Sequence, residues 1–264
     1  MKLYWQVAKN MWDQAIAYRL SFVIFRLRNL FWILTMYFLW VYALPHGKVL
    51  FGYNQSQILT YILGGAFLSS LIMATRSQDI ATEINEGNLS NFLLRPIGFL
   101  RYYFARDLGD KAMNIFFSIF ELTIVFLILR PNLFLQTSPV LLLLTLVFSL
   151  SGTLLFFFFS VLLGFIGFWS TETWGPRFIF YQLLNFLAGT LFPLDIIPKP
   201  LYTVVSYLPF PYLLYFPMKV YLGQLSTIEM VKGMAISCIW IVVLYAVTQF
   251  VWKRGLRVYT AQGR

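Results

Sequence analysis

The sequence predicts an all-α integral membrane protein with about six transmembrane helices. Apolar residues make up 59% of the chain and charged residues only 11%, and the mean hydropathy is +0.73. A chain of 264 residues with this composition cannot hide its apolar side chains in one water-soluble core. Lipid must therefore be the solvent for much of its surface.

Six apolar runs, bounded by charged residues or proline, approach the roughly 20 residues that one membrane crossing requires. The fourth run is longer than one crossing needs, so we expect it to tilt, to kink near Gly164 and Gly167, or to extend beyond the bilayer. All six belong to a single transmembrane domain over residues 1–264. The predicted spans are residues 29–44, 58–74, 112–129, 140–169, 178–194 and 234–252.

The distribution of basic residues predicts the topology. An even number of spans places both termini on the same side of the membrane. With the termini inside, the inner segments carry fifteen of the 20 Lys and Arg residues, and the outer segments carry five. The positive-inside rule then predicts cytoplasmic termini. The net charge of +10 is explained by topology and requires no nucleic-acid partner.

The N-terminal residues 1–22 repeat apolar side chains in steps of three and four, with polar side chains mostly on the opposite face. This pattern predicts an interfacial helix at the inner membrane surface. The alternative is that these residues extend the first span into the cytoplasm. Five basic residues within 1–28, without a long uncharged core, predict that no signal peptide is cleaved.

The segment 75–111, between the second and third spans, is the longest inner loop and holds five of the ten acidic residues. Asp79, Glu83 and Glu86 have helical spacing, which places three carboxylates along one face beside an apolar strip. The pattern predicts one or two short amphipathic helices across the inner face. They serve either as a docking element for a soluble partner or as a solvated helix that packs on the headgroups.

The outer region 193–217 contains six of the eleven prolines, yet it is too apolar for an ordinary loop. Nonhelical backbone at membrane depth must be buried in protein or face water. We therefore expect short helices over residues 195–222, forming an outer re-entrant segment that dips into the outer leaflet. A proline-rich cap packed on the ends of the spans is the alternative, and the two interpretations are compatible.

Three stretches resemble, in the same order, the bacterial ABC-2 type permeases, especially the small six-span exporters without a large outer domain. The stretch 84–97, in which an acidic residue and glycine precede an apolar run and Arg-Pro, resembles their first cytoplasmic loop. The stretch 164–169 resembles the end of their fourth span. The stretches 189–195 and 208–211 resemble their fifth span and outer re-entrant segment.

The resemblance implies a permease subunit of an ATP-binding cassette (ABC) transporter, an exporter in the cytoplasmic membrane of a bacterium. Two permease chains, alike or different, pair in the membrane, and two ABC ATPase subunits attach beneath them. Those subunits bind ATP and Mg, whereas this chain holds no cofactor and is not catalytic alone. The sequence contains no G-x-x-x-x-G-K-[ST] phosphate loop, which fits an ATPase on a separate chain.

The resemblance also assigns a role to two segments. The inner loop becomes the coupling helix on which the ATPase docks, and the outer re-entrant segment helps to close the outer end of the pathway. The matching residues are Asp79, Glu83, Glu86, Leu89, Phe92, Leu93 and Arg95 for docking, and Pro193, Asp195, Pro209 and Pro211 for the outer gate.

Glu121 lies near the middle of the third predicted span, where an unpaired carboxylate would be costly. It either faces the pathway or the second permease, in contact with a cationic or polar substrate, or it is hydrogen-bonded to a neighbouring helix. Asn114, Asn185 and Gln182 are the expected partners in the second case. If Glu121 were instead a proton site, the chain would be a proton-coupled secondary transporter, but no inverted repeat relates its two halves.

Few side chains suit catalysis or metal binding. His46 is the only histidine and Cys238 the only cysteine, so neither has a companion of its own kind. A membrane transferase acting on lipid-linked substrates could use Asp107 and Asp110, but their basic neighbours are more typical of a salt-bridged helix start.

Overall fold

A computed structural model of the chain describes residues 19–44, 47–77, 79–94 and 98–260. This part of the chain is helical, and its one β-bridge joins Leu50 to Tyr53 in a loop. The predicted interfacial helix over residues 1–22 lies almost wholly outside the described residues, and its last residues are continuous with the first long helix. Arg95 and His46 also lie outside the described residues.

The helices are numbered here in chain order, and three short 3-10 helices lie between them. The α-helices are α1 (Arg19–Ala43), α2 (Gln55–Ile72), α3 (Asp79–Asn85), α4 (Leu89–Leu93), α5 (Phe99–Leu129), α6 (Pro139–Gly164), α7 (Trp174–Leu187), α8 (Lys199–Ser206), α9 (Tyr215–Tyr221) and α10 (Thr227–Val258). The 3-10 helices are Phe165–Phe168, Leu194–Ile196 and Phe210–Tyr212.

Four of the described helices are long and apolar enough to cross a membrane: α1 from Phe22 onwards, α5, α6 with its 3-10 continuation, and α10. They correspond to the first, third, fourth and sixth predicted spans. The second and fifth predicted spans correspond to α2 and α7, which have only 18 and 14 residues. At 1.5 Å per residue α7 is about 21 Å long, shorter than a hydrocarbon core of ~30 Å. Membrane crossing by α2 and α7 stays a prediction.

The helices differ from the predicted segments at two places. Residues 99–111 were assigned to the inner loop, but they form the first part of α5, which begins at Phe99. The fifth predicted span was extended to residue 194, but α7 ends at Leu187 because the chain turns at Gly189, where φ is +74°. Charged side chains that bound an apolar run in the sequence can therefore lie well inside a helix.

The central helix of the fold is α6. α10 and α9 pack along it, α2 contacts it on another side, and α1 and α5 pack on α2. The side chains of Phe148, Phe156 and Phe165 are almost inaccessible in this core. Large apolar side chains such as Phe31 and Ile179 point outward from α1 and α7, as expected where lipid is the solvent. Following the predicted topology, we call the C-terminal end of α6 its inner end.

The predicted re-entrant segment forms a compact unit, which we call the outer plug (residues 193–222). It consists of α8, α9 and two 3-10 turns, and it packs on α6 and α2. Its residues 211–220 are buried without interruption, and Pro193, Pro209 and Pro211 are buried as well. The carbonyl oxygen of Tyr212 would lie only 3.0 Å from a Cβ on Gly152, halfway along α6. The plug thus reaches from the outer end of α6 to its middle.

Candidate functional site

The docking segment, residues 79–94, lies across the inner end of α6. α3 packs on the 3-10 turn that continues α6, and Ile80 and Ala81 are almost fully buried there. A Cβ on Gly164 would lie 2.7 Å from the Cβ of Ile80, and one on Gly167 would lie 2.9 Å from the carbonyl oxygen of Ala81. Only glycine permits so close an approach. The expected kink near these glycines corresponds to the change from α-helix to 3-10 helix after Gly164.

Two of the three predicted docking carboxylates are bound to α5. Arg106 donates a hydrogen bond of 2.6 Å to Asp79 and lies 3.4 Å from Glu83. Glu83 also accepts a hydrogen bond from the hydroxyl of Tyr103. Glu86 is exposed, and it accepts a 2.8 Å hydrogen bond from the side-chain amide two residues later. Asp79 and Glu83 therefore hold α3 on α5, and Glu86 is the one of the three carboxylates that is exposed.

The apolar residues of the docking segment divide in the same way. Leu89 is fully buried, and the ring of Phe92 packs among the aromatic side chains at the start of α5. Leu93 and Leu94 point outward, with Leu94 85% exposed. The hydroxyl of Tyr259, just after α10, is hydrogen-bonded to the turn between α3 and α4. The segment is thus held by the side that packs on the rest of the chain, and its opposite, exposed edge is apolar.

The linker between α2 and α3 is clamped onto α5 by buried charges. Asp107 is fully buried and accepts the backbone N–H of Arg76 at 3.1 Å, while the side chain of Arg76 pairs with Asp110 at 3.0 Å. Lys111 donates to the carbonyl oxygen of Ile72 at 3.0 Å and so caps the end of α2. The expected salt-bridged helix start is therefore wrong, because both aspartates lie inside α5 and bind the linker.

One carboxylate organises the outer plug. Asp195 accepts hydrogen bonds from the hydroxyls of Tyr53 and Tyr215, and it pairs with the ammonium group of Lys219 at 3.1 Å. Tyr53 belongs to the loop between α1 and α2, whereas Tyr215 and Lys219 lie one turn apart on α9. Asp195 therefore ties that loop to the plug. Sequence reasoning named Asp195 but missed its three partners, although the Tyr-x-x-x-Lys spacing marks one face of a helix.

The tyrosine hydroxyls at Asp195 remain protonated. Burial raises the pKa of Tyr53 and of Tyr215, and the negative charge of Asp195 raises both further. A protonated phenol can donate to a carboxylate, and a phenolate cannot. The outer connection is therefore a set of charge-assisted hydrogen bonds around one partly buried acid.

Glu121 is buried and partnered inside the chain. It accepts a hydrogen bond from the side-chain amide of Asn29, and the guanidinium of Arg26 lies 3.4 Å away. Arg26 also donates to Asn114. The predicted hydrogen bond to a neighbouring helix is present, but the partners come from α1 and are not the residues named as examples. Arg26 was missed because residues 1–28 were assigned to the inner side of the membrane, whereas Arg26 lies within α1.

A cavity of about 460 Å³ lies between α1, α2, α5 and α7. Its lining includes two of the arginines of α1, Arg26 and Arg28, and apolar side chains, among them Trp32 and Met36. No acidic side chain lines it within the described part of the chain, and Glu121 is bound to Arg26 outside the lining. The polar lining includes Arg26, Arg28, Asn29, Asn114, Gln182 and Asn185.

A second cavity, of about 590 Å³, is almost wholly apolar and lies between α2, α5 and α6. Among the described residues, no group of three or more His, Cys, Asp and Glu side chains is placed to hold a metal ion. The two cavities differ in chemistry, because only the first combines charged, polar and apolar walls.

Long apolar helices around a buried core, with apolar side chains on the outside, define a multi-pass helical membrane protein. The sequence model of the family described as ABC-2 family transporter protein matches residues 30–263, which is most of the chain. The chain belongs to this family and is an ABC-2 type permease, a transmembrane transport subunit. A comparison with curated proteins gives no match.

Proposed function

We propose that this chain is the permease subunit of an ATP-driven exporter in the cytoplasmic membrane of a bacterium, with both termini cytoplasmic. It pairs with a second permease chain, and two ATPase subunits bind the docking segment. The contact of α3 with Gly164 and Gly167 carries the proposal. Gly164 and Gly167 have no side chain, so α3 rests directly on the backbone at the end of α6. A force that the ATPase exerts on the docking segment therefore moves α6 directly.

The charge clamps extend this linkage to α5. Arg106 binds α3, and Asp107 with Lys111 binds the linker before it, so the docking segment and the first turns of α5 move together. At its middle, α6 touches the outer plug at Gly152. Gly152 and Gly164 are twelve residues apart, about 18 Å along α6, and the helix between them transmits the movement as a rigid rod. A movement of the docking segment is thereby transmitted to the outer plug.

The docking surface that we propose is smaller than the set of matching residues. Leu89 and Phe92 are buried against the chain itself and support the segment from within. Glu86, Leu93 and Leu94 are exposed and form an apolar edge with one negative charge. A complementary ATPase surface is an apolar groove with a basic rim.

Co-purification with an ATPase tests this proposal. The double variant Glu86→Gln, Leu94→Gln removes one charge and one exposed apolar side chain from the docking surface. A matched control, Glu172→Gln with Leu20→Gln, makes the same changes at exposed positions of other inner segments. Burial of one leucine is worth ~1.5–3 kcal/mol, so we expect the docking variant to weaken ATPase binding about tenfold or more. The control should bind like the wild type.

Two results would contradict the proposal. In the first, the wild-type chain purifies from its native membrane without any ATP-hydrolysing subunit and still moves a substrate down a proton gradient. The proton-coupled transporter would then be the better interpretation. In the second, both double variants lose the ATPase equally, which would place the docking surface elsewhere. The pairing of Glu121 with Arg26 and Asn29 weighs against a proton site at Glu121, because its carboxylate already has two donors.

A further inference from the structure

We propose that the polar cavity between α1, α2, α5 and α7 binds an amphiphile with an anionic headgroup, such as a phosphate or sulfate ester. The inference rests on the proposed transport function and names its substrate class. It starts from the charges that line the cavity, which are those of Arg26 and Arg28.

The two arginines differ in how far they are neutralised. Arg26 is compensated by Glu121, but its Nε is buried and has no hydrogen-bond partner among the described residues. Arg28 lines the same cavity, packs its guanidinium on the ring of Phe25, and makes no ion pair within the described part of the chain. The cavity therefore contains one uncompensated positive charge and one buried donor without an acceptor. An anion in the cavity compensates the charge of Arg28, whereas the Nε of Arg26 is enclosed by protein atoms.

The surrounding groups suit an ester of phosphate or sulfate better than a cation. Ser69 and Ser70 line the same cavity on α2, and hydroxyl groups donate readily to such oxygens. Contact with a cationic or polar substrate was one alternative for Glu121, but its carboxylate is bound to Arg26 and does not line the cavity. A cation would face two guanidinium groups and no lining carboxylate.

The apolar part of the cavity can hold the alkyl chain of the amphiphile. Trp32, Ile33 and Met36 follow the arginines along α1, and Ile62 faces them from α2. Arg26 and Met36 are ten residues apart, about 15 Å along a helix. That distance holds a headgroup and a large part of an alkyl chain, and the volume of about 460 Å³ lies within the usual range for ligand pockets.

Direct binding to the purified chain in phosphatidylcholine nanodiscs tests the inference. The probes are dodecyl phosphate, dodecyltrimethylammonium and inorganic phosphate, titrated by calorimetry. We expect dodecyl phosphate to bind at least about tenfold more tightly than either of the others, because only it combines the charge with the tail. Equal binding of the cationic amphiphile, or binding of inorganic phosphate as tight as that of dodecyl phosphate, would overturn the proposal.

Two variants locate the site. Arg28→Gln removes the uncompensated charge, and we expect it to weaken dodecyl phosphate binding about tenfold. Arg254→Gln removes an exposed charge near the end of α10, away from the cavity, and should leave binding unchanged. Equal losses in the two variants would assign the binding to the general positive charge of the chain. These titrations need no ATPase, so a failed co-purification and a failed titration refute different proposals.

Discussion

The docking segment and the outer plug contact the same helix, α6, but they are held in opposite ways. The docking segment is fixed by ion pairs that water partly reaches: the side chain of Asp79 is 43% exposed beside its partner Arg106. The outer plug buries ten consecutive residues, and a single acid, Asp195, ties it to the loop between α1 and α2. The inner end thus leaves an edge for another molecule, whereas the outer end is closed by the chain itself.

The difference also concerns how each region can move. Ion pairs near water exchange partners at low cost, so the docking segment can adjust to a bound partner without losing stability. The plug can open only if the partly buried hydrogen bonds to Asp195 are broken together. We infer that the inner segment receives the force and that the Asp195 cluster sets the resistance to outer opening.

The largest effect is expected from removing the acid of the plug. Asp195→Ala leaves the ammonium group of Lys219 and the hydroxyl of Tyr215 without their acceptor. Lys219 is only 11% exposed, so we expect the free energy of unfolding to fall by about 3 kcal/mol. Thermal unfolding in detergent measures the loss. Asp195→Asn keeps an acceptor oxygen and should lose less, and equal melting temperatures for wild type and Asp195→Ala would contradict the role of the cluster.

The next effect tests the contact at the inner end. Gly167→Leu places a side chain against the backbone of Ala81, which cannot yield as a flexible side chain would. We expect it to cost about 2 kcal/mol and to uncouple ATP hydrolysis from transport, because α3 is forced away from α6. Gly175→Leu is the matched control, since no atom lies within 4 Å of a Cβ at that glycine. If the Gly167→Leu variant still coupled ATP hydrolysis to transport fully, the contact of α3 with α6 would not be the path of force transmission.

Much of the fold could be predicted from the sequence, because apolar runs mark long helices whatever their partners are. The beginning of α5 could not, since Arg106, Asp107 and Asp110 look like a cytoplasmic boundary and in fact bind other parts of the chain. Arg26 was missed for the same reason: its charge was taken as a cytoplasmic boundary, although it pairs with Glu121 between α1 and α5. Charge marks a helix boundary only when the charge is not neutralised within the fold.

The candidate sites could be predicted as segments and not as surfaces. The spacing of Asp79 and Glu83 correctly predicted that they share one helical face, but only the tertiary structure shows that both face Arg106. The prediction was wrong for Glu86, because α3 ends at Asn85 and Glu86 lies in the following turn. Likewise, Leu89 and Leu93 are four residues apart, and one is buried while the other is exposed. Short helices have too few residues for a pattern to tell which side a neighbouring helix covers.

A smaller effect is expected from one hydroxyl of the outer cluster. Tyr53→Phe removes a hydrogen bond to Asp195 and should cost about 1 kcal/mol at neutral pH. Tyr245→Phe, at a half-exposed position on α10, is the control. Because the pKa of Tyr53 is raised in the folded chain, its contribution is complete below the unfolded pKa of about 10 and falls as the pH rises above it. The difference in the free energy of unfolding between wild type and Tyr53→Phe should therefore become smaller at alkaline pH. A difference that grows with pH would contradict the assignment.

The smallest effect is expected at the exposed ion pair of the docking segment. Asp79→Asn replaces a carboxylate that is 43% exposed, and such pairs contribute less than about 1 kcal/mol in dilute salt. Salt screens partly exposed charges far more than buried ones, so the difference between wild type and Asp79→Asn should vanish near 1 M salt. The cost of Asp195→Ala should fall less, because Asp195 is 27% exposed against 43% for Asp79 and also accepts hydrogen bonds from Tyr53 and Tyr215. Thermal unfolding of both variants at two salt concentrations makes the test. If salt affected both variants alike, the two ends of α6 would be held by the same kind of contact, and the asymmetry from which we infer the direction of force would be lost.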